Sequence, residues 1–522
     1  MLFDRSRPMI KLCLLIVACL ALPICLASCV VGPDYATPQA KVADRWLEGT
    51  AIEAQPSRVV DHYWWKTFND PILDQLIDAA YQGNLSLQVA GVRILETRAK
   101  LNKTIGNLFP QQQGIATGVD YSNIQSGNTG LSPEYTSGQT LFAASWEVDI
   151  WGKYRRGIES DQATFLGSIA AYDDALVTLI ADVASSYVNI RSLEERLRVA
   201  ARNVDIQKES LRIATAQYKA GETTERDMQL ASAQLAQTQA QIPQIEEELR
   251  QVKNGLAVLL GDTPDQTDQR LAGTSQIPVA PATVAVGIPR DLLRRRPDVR
   301  AAGLAAASKS ALIGVAKADM YPTLTLSGSF GSSGNNIANS SVLDMFSWQG
   351  QAAKAGANLV MPIFNYGRLK NQVRVQDAQF QEAILNYQNT VLVAAQEVEN
   401  GLVSFTNQQK ASESLGNAAR AARRSTELAI VAYKGGQTDY TVVLNAEEAQ
   451  LATEDALAVT QGKVALGLIA VYRALGGGWE LREGKDVISD EVKAEMARRT
   501  DWGKVLEPGQ HLPKASGVKD PK

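Results

Sequence analysis

The chain has 522 residues, 52 basic against 56 acidic, and its only histidines are His62 and His511. Two histidines and no uncommitted cysteine exclude the usual metal centres and nucleophile–base pairs, so no metal site and no catalysed reaction are expected. A formal charge of −4 supplies no basic field, so nucleic acid is not a partner.

All four cysteines, Cys13, Cys19, Cys25 and Cys29, fall in the first 29 residues. Arg5, Arg7 and Lys11 precede an apolar run from Leu12 to Leu26, which has the length of a secretory signal and is too short for an ordinary spanning helix. The run ends in Leu26-Ala27-Ser28-Cys29, which resembles a bacterial lipobox. Residues 1–28 then form a lipoprotein signal peptide, and Cys29 becomes the first mature residue, carrying diacylglycerol on its sulfur and an N-acyl chain. That covalent lipid is the one prosthetic group expected. A single acyl chain binds a membrane marginally, at about 0.8 kcal/mol per buried methylene, whereas several chains anchor durably. Loss of Asp4, Arg5, Arg7 and Lys11 removes +2, taking the mature charge from −4 to −6. One remaining cysteine permits no intrachain disulfide.

Beyond residue 83 the chain is written twice. Leu108-Phe109-Pro110 recurs as Met320-Tyr321-Pro322, and Tyr218-Lys219-Ala220-Gly221 recurs as Tyr433-Lys434-Gly435-Gly436. Two tandem copies follow, 84–261 and 297–476, separated by a linker at 262–296 and flanked by segments 29–83 and 477–522. Each copy reads as a moderate helix, a strand pair, a very long helix, a glycine turn and a return helix.

In the first copy the strand pair spans 111–150. Ile115, Thr117, Val119 and Tyr121 alternate with Ala116, Gly118, Asp120 and Ser122, and the return carries Phe142, Ala144, Trp146, Val148 and Ile150 on one face. Gly127 to Gly138 supplies the loop. The long helix is expected over 153–219. Its four-three spacing runs through Tyr172, Leu176, Leu179, Val183, Ser186, Ile190, Leu193, Leu197, Ala200, Val204, Gln207, Leu211, Ala214 and Tyr218, and only Ser186 and Gln207 interrupt the apolar series, the mark of a left-handed coiled coil. Its length of about 100 Å at 1.5 Å per residue exceeds any bilayer, so it projects through water. Gly221 caps it, and a return helix over 224–260 contains Pro243, where a local bend is expected.

The second copy places strands at 323–364, with Leu324, Leu326 and Phe330 on one face, then Ala355, Ala357, Leu359, Met361 and Ile363 returning. A long helix at 366–433 stops at Gly436, and a return helix covers 438–475. Its seam is smaller and more polar, which implies tighter packing or a wetter surface. Pro297 with Asp298 after it reads as a helix start, so the stretch Arg294-Arg295-Arg296 has a structural use. The tail beyond Lys504 has the composition of a disordered segment.

The fold class is therefore mostly α with a β-barrel portion, a coiled-coil tunnel plus four membrane strands per chain. Four strands cannot close a ring, and an open sheet edge in hydrocarbon costs several kcal/mol per unpaired group, so the barrel is shared between chains. Subunit number stays open at this point.

The sequence resembles the TolC/OprM-like outer membrane factors, and among them the NodT-type efflux lipoproteins. The marks are Cys29-Val30-Val31-Gly32-Pro33-Asp34-Tyr35, Trp64-Trp65 through Asp70-Pro71, Leu292 to Arg300, and the doubled Tyr-x-x-Gly turns. The resemblance implies a homotrimer with a twelve-stranded barrel in outer membrane lipid and a helical tunnel in the periplasm. It implies a periplasmic adaptor (membrane fusion protein) and an inner-membrane pump, RND-type, as partners for passive drug or small-molecule exit. A duct for type I protein secretion or another exporter is the alternative. An adaptor lipoprotein would carry one hairpin and no membrane strand pairs, and Val30-Val31 carries no inner-retention aspartate. The family gate falls at Gly436-Gln437-Thr438-Asp439-Tyr440. Asp439 is the gate candidate with Thr438 and Tyr440 beside it, although family relatives place the acid where Thr438 stands. Gly221 and Gly436 mark the adaptor-facing tips, and residues 29–70, 262–289 and 476 onward form an equatorial collar.

Overall fold

The computed structural model describes residues 30–47, 62–123, 134–273, 276–281, 294–337 and 341–507. Cys29 and the expected signal segment 1–28, like His511, lie outside the described residues.

Helix α1 (Pro71–Gly83) ends the N-terminal flank, and α2 (Leu85–Gly106) opens the first copy. Asp70 caps α1 by accepting from Ile72 N at 2.9 Å and Leu73 N at 3.3 Å, with Pro71 at the first helical position where no donor is missed. Its second oxygen accepts from the Tyr187 hydroxyl at 2.7 Å. Replacing Tyr187 by Phe removes that bond while the cap remains, and is expected to cost about 1 kcal/mol in chemical denaturation.

Strands β1 (Gln112–Asn123) and β2 (Glu134–Val148) lead into α3 (Lys153–Ala220), which turns at Gly221 into α4 (Glu225–Leu260). The short α5 (Pro264–Arg270) follows, then α6 (Pro297–Ala318), β3 (Thr323–Asn335), β4 (Gln351–Val360), α7 (Arg368–Lys434), α8 (Tyr440–Ala474) and α9 (Asp490–Arg499). The four strands form one antiparallel sheet in the order β1-β2-β3-β4, so the two copies join edge to edge between β2 and β3.

Several boundaries depart from the sequence reading. Ile150 lies beyond β2, and Met361 and Ile363 lie beyond β4, which stops before Pro362 because proline has no donor for the ladder. Gly138 belongs to β2 rather than to the loop. A Cβ there would meet Met345 Sδ at 2.2 Å, so the glycine admits the 3-10 turn Val342–Phe346 against the sheet. The second long helix begins at Arg368 instead of 366, because Tyr366 and Gly367 hold φ of 50° and 82°. Helix α4 is continuous through Pro243.

Carrying the first copy's seam forward by 215 residues predicts fourteen inward positions on α7, and ten of them are buried: Tyr387, Val391, Ala394, Val398, Gly401, Phe405, Ala419, Thr426, Ala429 and Tyr433. Gln408, Ser412, Leu415 and Ala422 are half-buried, so the stripe loosens mid-helix, and off it only Leu369 and Leu402 are buried. Gly401 lies against Val471, and Gly467 of α8 against the Phe405 backbone, so these two helices approach closely. For α3 a single seam is too narrow a description. Helices α1, α2, α4, α6 and α8 all pack on it, so Tyr187, Val188, Ala184 and even Asp173 and Arg191 are buried off the seam, while Tyr218 at the tip is exposed.

The main apolar core gathers both copies and both flanks: Trp64, Leu73, Ile94, Leu176, Val183, Val398, Phe405, Leu468 and Ile488. Trp64 stacks on Tyr472 at 5.3 Å and donates to Gly477 O at 3.3 Å. Arg296, buried just before α6, donates to Ala474 O at 2.6 Å, to Asp298 and to Glu397 at 2.7 Å, joining α6, α7 and the end of α8. Arg294 and Arg295 are exposed. Helices α3, α6 and α8 each hold a stretch apolar and long enough to cross a membrane, but 56%, 39% and 50% of those stretches is already buried within the chain.

Candidate channel wall and gate

Strand alternation sorts the sheet into two unlike faces. The register aligns Ile115 with Phe142 and Phe142 with Phe330, and places Trp146 beside Leu326 and Val148 beside Leu324, which faces Leu359. Ile115, Val119, Tyr121, Phe142, Phe330 and Leu359 are all exposed in the single chain. The other face carries Gln112, Ser145 and Ser327 in one row and Gly114, Ala143, Ser329 and Lys354 in the next. Water would not hold such an apolar face open, whereas a bilayer on one side and an aqueous lumen on the other account for both.

The dimensions agree. Ten residues of β4 at about 3.3 Å each, tilted by about 45°, span roughly 25 Å, the height of the apolar band of an outer-membrane barrel. Aromatic and large apolar groups border the band at both ends. Leu343, Phe346 and Trp348 are exposed beyond β3, and Phe364 and Tyr366 beyond β4. Trp151 stacks on Tyr321 at 4.7 Å and donates to Pro322 O at 2.8 Å. The outer edges of β1 and β4 have no partner strand within the sheet.

At the opposite end Gly221 and Gly436 hold φ of 76° and 69°, the left-handed turn that lets Glu222 N reach Gln217 O and Gln437 N reach Ala432 O. A Cβ on either would meet nothing within 4 Å, so these glycines serve the reversal rather than packing. The Gln217 side chain donates to Tyr433 O at 3.0 Å and ties the two tips together. A second apolar cluster holds them: Ile213, Ala214, Ala231, Ala429, Tyr433, Tyr440, Val443 and Ala446.

The three gate candidates occupy different environments. Asp439 is exposed and precedes α8 without a side-chain capping bond, Thr438 is half-buried, and Tyr440 is wholly buried with its ring edge-on to Tyr433 at 5.3 Å. Tyr440 therefore stands in the hairpin interior, not on the tip surface.

Sequence reading missed a polar interior just behind the tip. On α8, Tyr440, Val443, Glu447, Gln450 and Glu454 follow the same three-four spacing as the long-helix seams, and all are buried. That spacing was the available signal. Glu447 accepts from Ser210 of α3, and the Tyr440 hydroxyl faces its carboxyl without closing a bond. Burial pushes the Glu447 carboxyl up to about 7, the Ser210 and Tyr440 hydroxyls opposing the rise. Burial likewise raises the Tyr440 hydroxyl. Both amide atoms of Gln207, buried on α3, lack hydrogen-bond partners. Farther from the tip, Glu454 accepts from Arg423 at 2.7 and 3.0 Å and from Gln450 at 3.3 Å.

A sequence profile of the family described as "Outer membrane efflux protein" matches residues 76–262 and 288–477, which contain both copies in full. The chain belongs to that family. Among outer membrane efflux proteins it is 30% identical over 458 residues to a nodulation protein T of Rhizobium leguminosarum bv. trifolii, covering 87% of this chain and 95% of the relative. It is 27% identical over 478 residues to the outer membrane protein OprJ of Pseudomonas aeruginosa, covering 90% and 97%. The solved outer-membrane channel OprN superposes with a TM-score of 0.81 at 32% identity, over 87% of this chain and all of that one. As in this family, the four-stranded sheet is an arc of an outer-membrane barrel, and the helices extend it into the periplasm. Efflux through the outer membrane is the transport the family performs.

Proposed function

We propose that this chain is one subunit of a homotrimeric, lipid-anchored exit duct, receiving small molecules from a periplasmic adaptor and an RND-type inner-membrane pump. The observation that carries the proposal is a sheet with a lipid-type face, a polar face and two open edges. Three such arcs close a twelve-stranded ring and leave no unpaired edge in hydrocarbon. Helix α7 supports it, because Leu385, Leu392, Leu428 and Val431 are exposed outside its buried stripe and await a neighbour. Relatives named for pyoverdine export and toluene efflux favour small cargo over a secreted protein. Cys29 carries the lipid, and the glycine tips at Gly221 and Gly436 meet the adaptor.

In this reading the exposed Asp439, with Thr438, lines the periplasmic constriction, and Tyr440 holds the hairpin behind it. The test is reconstitution of the purified lipoprotein in planar bilayers with native mass spectrometry of the detergent complex. A trimer that opens pores is expected, and Asp439→Ala is expected to raise single-channel conductance. Conductance equal to wild type would remove Asp439 from the gate. A protein that stays a single water-soluble subunit and opens no passage would overturn the duct.

A further inference from the structure

The lumen face of the sheet is made of small and uncharged groups at mid-height, with one exception. Lys354 of β4 lies opposite Ser329, which lies opposite Ala143, which lies opposite Gly114. The adjoining row toward the periplasm is Gln112, Ser145, Ser327 and Gly356, and the row toward the exterior is Ala116, Leu141, Gly331 and Ala352. The Lys354 row and the row toward the periplasm floor a concavity of about 410 Å³ lined by Gln112, Ser145, Ser327, Ser329 and Lys354. Ala353 beside Lys354 pairs with Phe330 on the opposite face, so alternation fixes Lys354 on the polar side.

Lys354 is the only basic residue among the described strand residues, and it is exposed. Acids on its face stand far along the strands. Asp120 is six residues from Gly114 toward the exterior, about 20 Å, and Glu147 is four residues from Ala143, about 13 Å. Glu147 is itself engaged by Lys153 at 3.5 Å. The Lys354 charge therefore has no counter-charge in its own sheet.

We infer that Lys354 forms a three-fold ring of ammonium groups inside the barrel and that this ring makes the outer-membrane passage selective for anionic solutes, such as those bearing carboxylate or phosphate. The inference rests on the trimeric duct proposed above. Twelve strands about 4.8 Å apart and tilted by about 45° enclose a backbone radius on the order of 13 Å. Lysine side chains reaching inward from that wall bring their charges within about one Debye length, ~8 Å at physiological salt, of the axis. Rings of Lys or Arg select anions by this field, and the small neighbours Gly114, Ala143 and Ser329 leave the ammonium hydrated and unobstructed.

The experiment compares wild type, Lys354→Arg, Lys354→Ala and Lys354→Glu as full-length protein in planar bilayers under a potassium chloride gradient. The chloride-to-potassium permeability ratio is expected to fall by about twofold or more in Lys354→Ala and further in Lys354→Glu, with Lys354→Arg matching wild type. Equal ratios in wild type, Ala and Glu forms would overturn the inference while leaving the duct standing. Loss of the oligomer in Lys354→Ala, measured by native mass spectrometry, would also overturn it by assigning the lysine to a subunit contact. A wild-type protein that opens no pore would overturn the duct reading itself.

Discussion

Arg482→Leu is expected to destabilise the periplasmic body by about 3–5 kcal/mol, the loss that follows when one partner of a buried ion pair is removed. Asp173 on α3 is fully buried, and Arg482 grips both its oxygens, Nη2 donating at 3.0 Å and Nε to the other oxygen. Arg300 of α6 adds a longer contact at 3.9 Å, and both guanidiniums lie over the Trp479 ring at 5.6 and 5.8 Å. The pair thus fastens the C-terminal segment to α3, and Trp479 fluorescence during chemical denaturation reports its release. Burial raises the Asp173 carboxyl even with Arg482 in place. Without the arginine it rises further, so the deficit should be small near the ordinary carboxylate range and grow as pH rises. The double variant Asp173→Leu, Arg482→Leu should recover most of the loss, because no lone charge remains. A single variant no less stable than the double would show that the lone Asp173 charge is not the source of the loss, and a single variant as stable as wild type would show that the pair carries none of the stability assigned to it.

What could be read without coordinates were the periodic features. The two-faced strands followed from alternation at Ile115 to Tyr121 and Leu324 to Phe330, and the α7 seam from Tyr387 to Tyr433, because a helix touching few neighbours buries one stripe. On α3 the same spacing described less, since five helices surround it and burial spreads around its circumference. Ends were misjudged where the ladder stopped for local reasons, as at Pro362, or where a 3-10 turn needed room, as at Gly138. Lys354 was overlooked because its meaning depends on register, which places it opposite Ser329 and remote from acids. The Glu447 cluster was overlooked because hydrophobic periodicity marks a seam by apolar residues, whereas here the seam positions are Glu447, Gln450 and Glu454.

That polar seam makes the tip respond to pH, and Glu447→Gln is expected to abolish the response. With its carboxyl at about 7 in the folded hairpin, against an ordinary value near 4.5, the folded state holds the proton over the interval between them. Stability is therefore whole below the ordinary value, declines as pH rises through the interval and levels off above 7. The full span is on the order of 3 kcal/mol, from about 1.4 kcal/mol per unit of displacement. Ser210 of α3 and Tyr440 of α8 act on Glu447 directly, and Asp227 of α4 and Tyr433 of α7 act on Tyr440 in turn, so all four helices of the two hairpins converge there. Ionisation would leave a buried carboxylate with no cation among the groups acting on it, and the cost falls on the contact between hairpins. Amide hydrogen exchange of residues 440–447, compared with Glu447→Gln at each pH so that intrinsic rates cancel, should show wild type opening more readily at pH 8 than at pH 5. Equal protection in the two proteins across that range would mean the carboxyl titrates as an ordinary surface acid, and the stability of the tip would then rest on the apolar cluster around Tyr433 and Tyr440.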